Sequence, residues 1–297
     1  MKKVLILGSN GLLGQSLVKI FNRGYEVYGC SLEKENYNTK NSPSLYFPLN
    51  ITVRNDIRAF FSKYQPDIII NAAAFTDVDK CEKEKSLCWM TNVKGIENIL
   101  EACETFSPVF IQISSDYIFN GRSGLYKEID EPDPLGHYGF CKLAAEKTVK
   151  ASDFEYIIAR TMILYGNGEK IKSNFVTWIL DKLKKGEQIP IVNDQRGNPT
   201  FVDDLSEAIY RLIKKEAYGT FHISGRESCS RYEFALKIAE VFELNHELIK
   251  EVSTEELKQT AHRPSDTSFV LHKLSNTINW LPSDVEGGLK KLKNQLN

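Results

Sequence analysis

A chain of 297 residues with 42% hydrophobic content can bury a large core, which excludes a small disulfide scaffold and suits one big α/β domain or two lobes. Its 38 basic and 39 acidic residues nearly cancel, to a net charge of -1, which argues against a nucleic-acid partner held by a basic field and leaves small molecules as the expected partners. Cys30, Cys81, Cys88, Cys103, Cys141 and Cys229 show no CxxC pair and no His/Cys cluster at zinc spacing, so reduced buried thiols and no metal are expected.

The N-terminal run Val4-Leu5-Ile6-Leu7 is too short for a secretory signal or for the ~20 residues of a membrane span, which points to a cytoplasmic protein with no membrane partner. It predicts a strand that ends at Gly8, followed by a helix in which Leu12, Leu13, Leu17, Val18 and Phe21 recur at helical spacing up to Gly24. A second strand is predicted over 25–29, then a polar surface excursion over 33–44. Further along come a helix near 53–64, a strand over 67–71, a helix near 86–106, a strand over 109–114, a helix near 137–150 and a strand over 156–160. Continuous β-branched strands alternating with helices predict an α/β fold: a Rossmann-like, doubly wound parallel sheet covered on both faces. After residue 165 the pattern loosens into Gly, Asn and Pro turns, with helices near 175–185, 203–215 and 231–242. The division expected is a dinucleotide-binding domain over 1–165, with some later segments returning to it, and a smaller α+β substrate lobe over 166–297. The charged runs at 80–85, 182–187 and 214–216 read as solvated helix faces.

Gly8-Ser9-Asn10-Gly11-Leu12-Leu13-Gly14 places glycines at GxxGxxG spacing between the first strand and the first helix. Such glycines allow a tight turn, close backbone approach to a pyrophosphate and close helix-on-strand packing, while free N–H groups at the helix start meet the anion. The motif alone is weak; the flanking strand and helix are the context it requires. An acid that holds the adenosine ribose is expected ~20 residues on, where Glu33 stands, with Ser31 as a further candidate contact beside it. Cys30 at the strand end leaves room for a 2′-phosphate, so NAD(H) and NADP(H) both stay open, with a slight lean to NADPH.

Tyr138 and Lys142 lie at i, i+4 near the start of a predicted helix, which puts phenol and ammonium on one face with β-carbons ~6 Å apart. A free phenol has a pKa of ~10, and a nearby cation stabilises the phenolate, each tenfold gain in acidity being worth ~1.4 kcal/mol. When hydride reaches a carbonyl carbon, the oxygen gains negative charge; a proton donor and a second hydrogen-bond donor lower that barrier. Tyr138 and Ser115 suit those roles. Ser115 follows the strand over 109–114 at the carboxyl edge, where open parallel sheets place ligands. Taken alone, YxxxK would be a chance pair on a surface helix; it gains meaning from the glycine turn and the strand-end serine.

With these two motifs the chain resembles the extended short-chain dehydrogenase/reductase superfamily, and within it most the dTDP-4-dehydrorhamnose reductase family. The resemblance runs nearly end to end and is carried by NAAAFTDVDKCE at 71–82, SSDYIFNG at 114–121, PLGHYGFCKLAAE at 134–146 and DQRGNPT at 194–200, with Arg263-Pro264 and 280–292 later. It implies reduction of a nucleotide-linked 4-keto-6-deoxy sugar, with Ser115, Tyr138 and Lys142 as catalytic triad. It implies Ala72, Ala73, Ala74, Thr76, Asn92 and Arg160 in or near the cofactor site, and Asn50 and Ile51 at the adenine, where the family usually has an acid. Asn174, Gln195 and Arg263 would face the sugar nucleotide. Asp116 and Tyr117 would orient the sugar or serve as structural strand-end residues. Ile163 stands where the family commonly carries a tryptophan against the sugar, which leaves the identity of the sugar open. A homodimer is compatible with this reading. Two other functions share the motifs: an epimerase or dehydratase that retains its NAD, and a non-catalytic NADP-binding regulatory subunit resembling the β subunit of methionine adenosyltransferase.

Overall fold

In the first strand, β1 (Lys3–Leu7), every second side chain points the same way, so Val4 and Ile6 enter one apolar layer while Leu5 and Leu7 enter another. All four are buried, which is why the run is apolar without alternation. The computed structural model, which describes residues 1–296, builds outward from this strand. The chain continues through α1 (Leu12–Phe21), β2 (Glu26–Ser31), β3 (Leu45–Pro48), α2 (Arg54–Tyr64), β4 (Ile68–Asn71), α3 (Val78–Lys83), α4 (Lys85–Trp89), α5 (Gly95–Cys103), β5 (Val109–Ser115), α6 (His137–Lys150) and β6 (Tyr156–Thr161).

Beyond β6 follow β7 (Leu164–Tyr165), α7 (Phe175–Lys184), β8 (Ile189–Val192), β9 (Arg196–Gly197), β10 (Thr200–Phe201), α8 (Val202–Lys214), β11 (Gly219–His222), β12 (Cys229–Ser230), α9 (Arg231–Val241), β13 (Ile249–Val252), α10 (Thr254–Leu257), α11 (His272–Ile278) and α12 (Val285–Leu296). Strands β1 to β6 and β11 form one seven-stranded, all-parallel sheet in the order β11-β6-β5-β4-β1-β2-β3. The α/β doubly wound architecture is thus the one predicted. Two elements of the second half return to this sheet. β11 pairs with β6 at its edge, and α8 packs Leu205, Ile209 and Leu212 into the layer formed by Leu17, Val18 and Phe21 of α1. Helices α7, α9 and α12 instead close a separate apolar cluster with Ile189, Ile191 and Ile249.

The predicted helix over 86–106 is broken into three pieces, because residues Met90–Lys94 form a π-helical turn between α4 and α5. Such turns widen a helix locally and recur at functional sites. β3 was hidden at the end of the polar excursion: it is an edge strand, where Pro48 can sit without depriving a neighbour of a hydrogen bond.

Candidate active site

Strand order reverses between β1 and β4: from β1 the chain builds β2 and β3 on one side, and β4, β5 and β6 on the other. The carboxyl ends of strands at such a switch point flank a crevice. Here two adjoining clefts of about 520 Å³ and about 310 Å³ open there, and Gly8, Gly11, Ala72 and Ala74 line both.

The glycine turn fits its geometry closely. Gly8 has φ +80°, and a Cβ on it would lie 2.8 Å from the Ala73 nitrogen; a Cβ on Gly14 would lie 2.1 Å from the Gly8 carbonyl oxygen. Turn, helix start and the 72–73 segment therefore pack too closely for a side chain at either position. Leu12 and Leu13 line the larger cleft with them. Ser9 and Asn10 are buried behind the turn; Ser9 Oγ has no hydrogen-bond partner among the described residues. Asn10 staples the neighbouring wall: its Nδ2 donates to Glu33 Oε2 at 3.1 Å, the Glu35 carbonyl at 2.9 Å and Tyr46 Oη at 3.0 Å, and its backbone N–H donates to Ser31 Oγ at 2.9 Å.

The smaller cleft is walled by Cys30, Ser31, Glu33, Asn50, Ile51 and Ala73. Asn92, on the π-helical turn, lies behind the 72–76 loop: its Oδ1 accepts from the Phe75 N–H at 2.8 Å and its Nδ2 donates to the Phe75 carbonyl at 2.9 Å. That pair of bonds fixes the loop carrying Ala74 and Thr76 into the larger cleft.

Ser115, Asp116, Tyr117, Tyr138 and Lys142 meet in the larger cleft. α6 starts at His137 as predicted and presents Tyr138 and Lys142, both buried, from consecutive turns. Lys142 Nζ donates to the Ile113 carbonyl at 2.5 Å, while Ser115 Oγ donates to Asp116 Oδ1 at 2.9 Å and accepts from the Tyr117 N–H at 3.2 Å. Thr267 Oγ1 donates to Asp116 Oδ2 at 2.7 Å. Burial raises the Asp116 carboxyl. It also raises the Tyr138 phenol, and the Asp116 charge adds to this, whereas the Ser115 hydroxyl pulls the other way. Burial thus outweighs the acidifying effect expected of Lys142. Burial lowers the Lys142 ammonium to about 8, against the pull of the Glu146 carboxylate. The site holds a protonated phenol beside a cation that loses its charge readily.

Other predicted residues lie elsewhere. Asn174 caps α7, accepting from the Thr177 N–H and donating to the Gly166 carbonyl at 2.8 Å. The Gln195 side chain donates to Thr254 and Gln259, while its carbonyl accepts from the Arg231 N–H at 2.9 Å. Neither side chain lines the cleft. Arg263 stands behind Tyr117, 5.9 Å over its ring, with Nη2 donating to Asp79 Oδ2 at 3.0 Å. Arg160 is fully buried against Glu146, donating through Nε and Nη2 at 2.9 and 2.8 Å; Ser114 Oγ donates to the same carboxylate at 2.6 Å. It braces the strand end rather than facing a ligand.

Sequence reasoning missed Arg231, which lines the larger cleft. It is the first residue of α9, inside the Ser230–Glu233 capping box. A cation at a helix N-terminus opposes the macrodipole, and that mismatch was the available signal. Ile163 lines the same cleft with φ +43°, a strained conformation for a β-branched residue, held by pairing of β7 with β10.

Residues 1–297 match the family model described as RmlD substrate binding domain. The spore coat polysaccharide biosynthesis protein SpsK of Bacillus subtilis is 35% identical over 269 residues, 89% of this chain and 88% of that protein. A dTDP-4-dehydrorhamnose reductase from Bacillus anthracis, solved in complex with NADP, superposes with a TM-score of 0.89 at 34% identity over 99% of this chain and 100% of that one. The β subunit of methionine adenosyltransferase 2 from Pongo abelii is 29% identical over 280 residues, 92% of this chain and 81% of that protein. The chain belongs to the RmlD substrate binding domain family, within the short-chain dehydrogenase/reductase superfamily that its glycine turn and Tyr138–Lys142 pair resemble.

Proposed function

We propose that this protein reduces a nucleotide-linked 4-keto-6-deoxy sugar with NAD(P)H. The observation that carries the reading is the convergence of Ser115, Tyr138 and Lys142 in one cleft with the glycine turn. In this reading residues 1–165 take the coenzyme and 166–297 mainly the sugar nucleotide. Gly8 to Gly14 would hold the pyrophosphate, Ser31, Asn50 and Ile51 the adenosine end, and Ala72, Ala74, Thr76, Tyr138 and Lys142 the nicotinamide end. When bound, the coenzyme supplies the hydride.

The protein's part is electrostatic and protonic. Tyr138 Oη gives its proton to the keto oxygen as hydride arrives; burial keeps the phenol protonated until then but weakens it as an acid, so the transfer leans on the neighbouring cation. Ser115 Oγ turns from Asp116 to donate to the same oxygen, and Lys142, while charged, stabilises the phenolate left behind. Asp116 and Tyr117 would orient the sugar and Arg231 its diphosphate. NADPH is the preferred coenzyme on the space left by Cys30, although the Glu33 carboxylate on the same wall acts against a 2′-phosphate.

Purified protein should be given dTDP-, GDP- and UDP-linked 4-keto sugars with NADH and with NADPH, and coenzyme absorbance followed. Turnover with one of them is expected; none with any combination would refute the proposal. Near-stoichiometric NAD retained through purification would favour an epimerase or dehydratase, and a co-purifying synthetase a regulatory subunit.

A further inference from the structure

Folding brings together what sequence spacing keeps apart. Helix α6 carries two i, i+4 pairs on adjoining faces, about 100° apart: Tyr138 and Lys142 towards the cleft, His137 and Cys141 towards α3 and α4. Cys141 Sγ lies 3.4 Å from His137 Nε2. Cys88 on α4 completes a group in which two thiols and an imidazole nitrogen all lie within 4.8 Å of one another. The Cys81 thiol on α3 neighbours Cys88 but lies outside that group, with its Sγ donating to the Phe75 carbonyl at 3.6 Å. The three cysteines are 0% exposed, whereas His137 is half-buried and gives the cluster an edge open to solvent.

Buried thiols in an apolar pocket are ordinarily small hydrophobes. This group differs in composition and spacing. Tetrahedral zinc, with Zn–S of ~2.3 Å and Zn–N of ~2.0–2.1 Å, keeps its donor atoms roughly 3.3–3.8 Å apart, so Cys88, His137 and Cys141 need to contract by about 1–1.5 Å at most, and the Cys81 thiol must swing in from the Phe75 carbonyl. The donors come from three separate helices, as in a clamp.

We propose that Cys88, His137 and Cys141, with Cys81 as the fourth ligand, form a site for a thiophilic divalent cation of the Zn²⁺ type. His137 Nε2 also lies 3.0 Å from the Lys85 carbonyl. An imidazole nitrogen cannot both donate to a carbonyl and ligate a metal, so the cation exchanges that bond for its own and leaves the carbonyl to water. Occupation ties α3 and α4 to the turn that carries Tyr138 and releases protons from the thiols.

The test is metal uptake by the full chain, stripped with chelator in a phosphine reductant. Zn²⁺ is titrated against a chromophoric indicator, and Co²⁺ is added separately to read thiolate-to-metal charge-transfer and tetrahedral ligand-field bands. One equivalent per chain is expected, with thiolate bands, proton release and a raised melting temperature. Cys88→Ala and His137→Gln should each weaken binding by more than the ~10–100-fold that loss of an outer-shell partner costs, while Cys229→Ala, outside the cluster, should bind as the wild type does. His137→Gln, at the solvent edge, keeps the test valid should Cys88→Ala fail to fold. Absence of thiolate bands with Co²⁺, or wild-type affinity in His137→Gln, would overturn the proposal.

Discussion

In the proposed coenzyme site, one carboxylate sets the charge of the adenosine-side wall. Glu33 borders the smaller cleft, held by Asn10, and two like charges about 4 Å apart in water cost about 1 kcal/mol. Glu33→Gln should therefore raise kcat/KM for NADPH relative to NADH about 5-fold, measured by steady-state kinetics with both coenzymes. Arg231 lines the larger cleft instead. Charge-assisted bonds to an anion contribute about 1.5–3 kcal/mol, so Arg231→Met should raise KM for the sugar nucleotide about 10–100-fold with a smaller change in kcat. An unchanged KM would place the diphosphate elsewhere. At this scale the sequence was unevenly legible: Tyr138, Lys142, Ser115 and the glycine turn are local motifs on adjacent elements. Arg231 reaches the cleft through the long-range pairing of β12 with β9 and the bond of its N–H to Gln195, which no local pattern announces.

Elements were legible where local signals were strong. β1, α1, α2, β4, β5, α6 and β6 fall within two residues of their expected bounds, because apolar runs and helical spacing dominate there. The π-helical turn was not legible in the helical spacing; beside it a Cβ on Gly95 would lie 2.8 Å from Ile51 Cδ1, so the helix there passes close to the loop after β3. Asn92 on that turn has a definite task. Asn92→Ala removes both bonds to Phe75 and leaves partly buried backbone groups unpaired, which should cost about 1–3 kcal/mol in denaturant unfolding and raise KM for the coenzyme. Stability loss without a KM change would limit Asn92 to a structural role.

For the molecule as a whole, the return of α8 and β11 ties the C-terminal half to the sheet whose carboxyl edge opens the two clefts. β11, of only four residues, was invisible to a periodicity reading. It carries His222, fully buried, stacked on Phe269 at 3.8 Å between ring centroids. Burial, and next the Arg160 charge, hold this imidazole down to about 3, against an ordinary 6.5. Between those values the unfolded chain binds a proton that the folded one refuses, so stability is full above pH 6.5 and falls as pH drops towards 3. At pH ~4.5 the loss should be roughly 2–3 kcal/mol relative to neutral pH, and His222→Phe should flatten that acid limb in urea unfolding. An equally steep limb in the variant would assign acid sensitivity to other groups.

Proton donation by Tyr138 is the step on which the proposed chemistry depends. Single-turnover consumption of NADPH with a nucleotide-linked 4-keto sugar, compared between wild type and Tyr138→Phe under conditions where both ligands are shown to bind, tests it most directly. A loss of ~10²-fold or more in rate at unchanged affinity is predicted; near-normal turnover in the variant would contradict it.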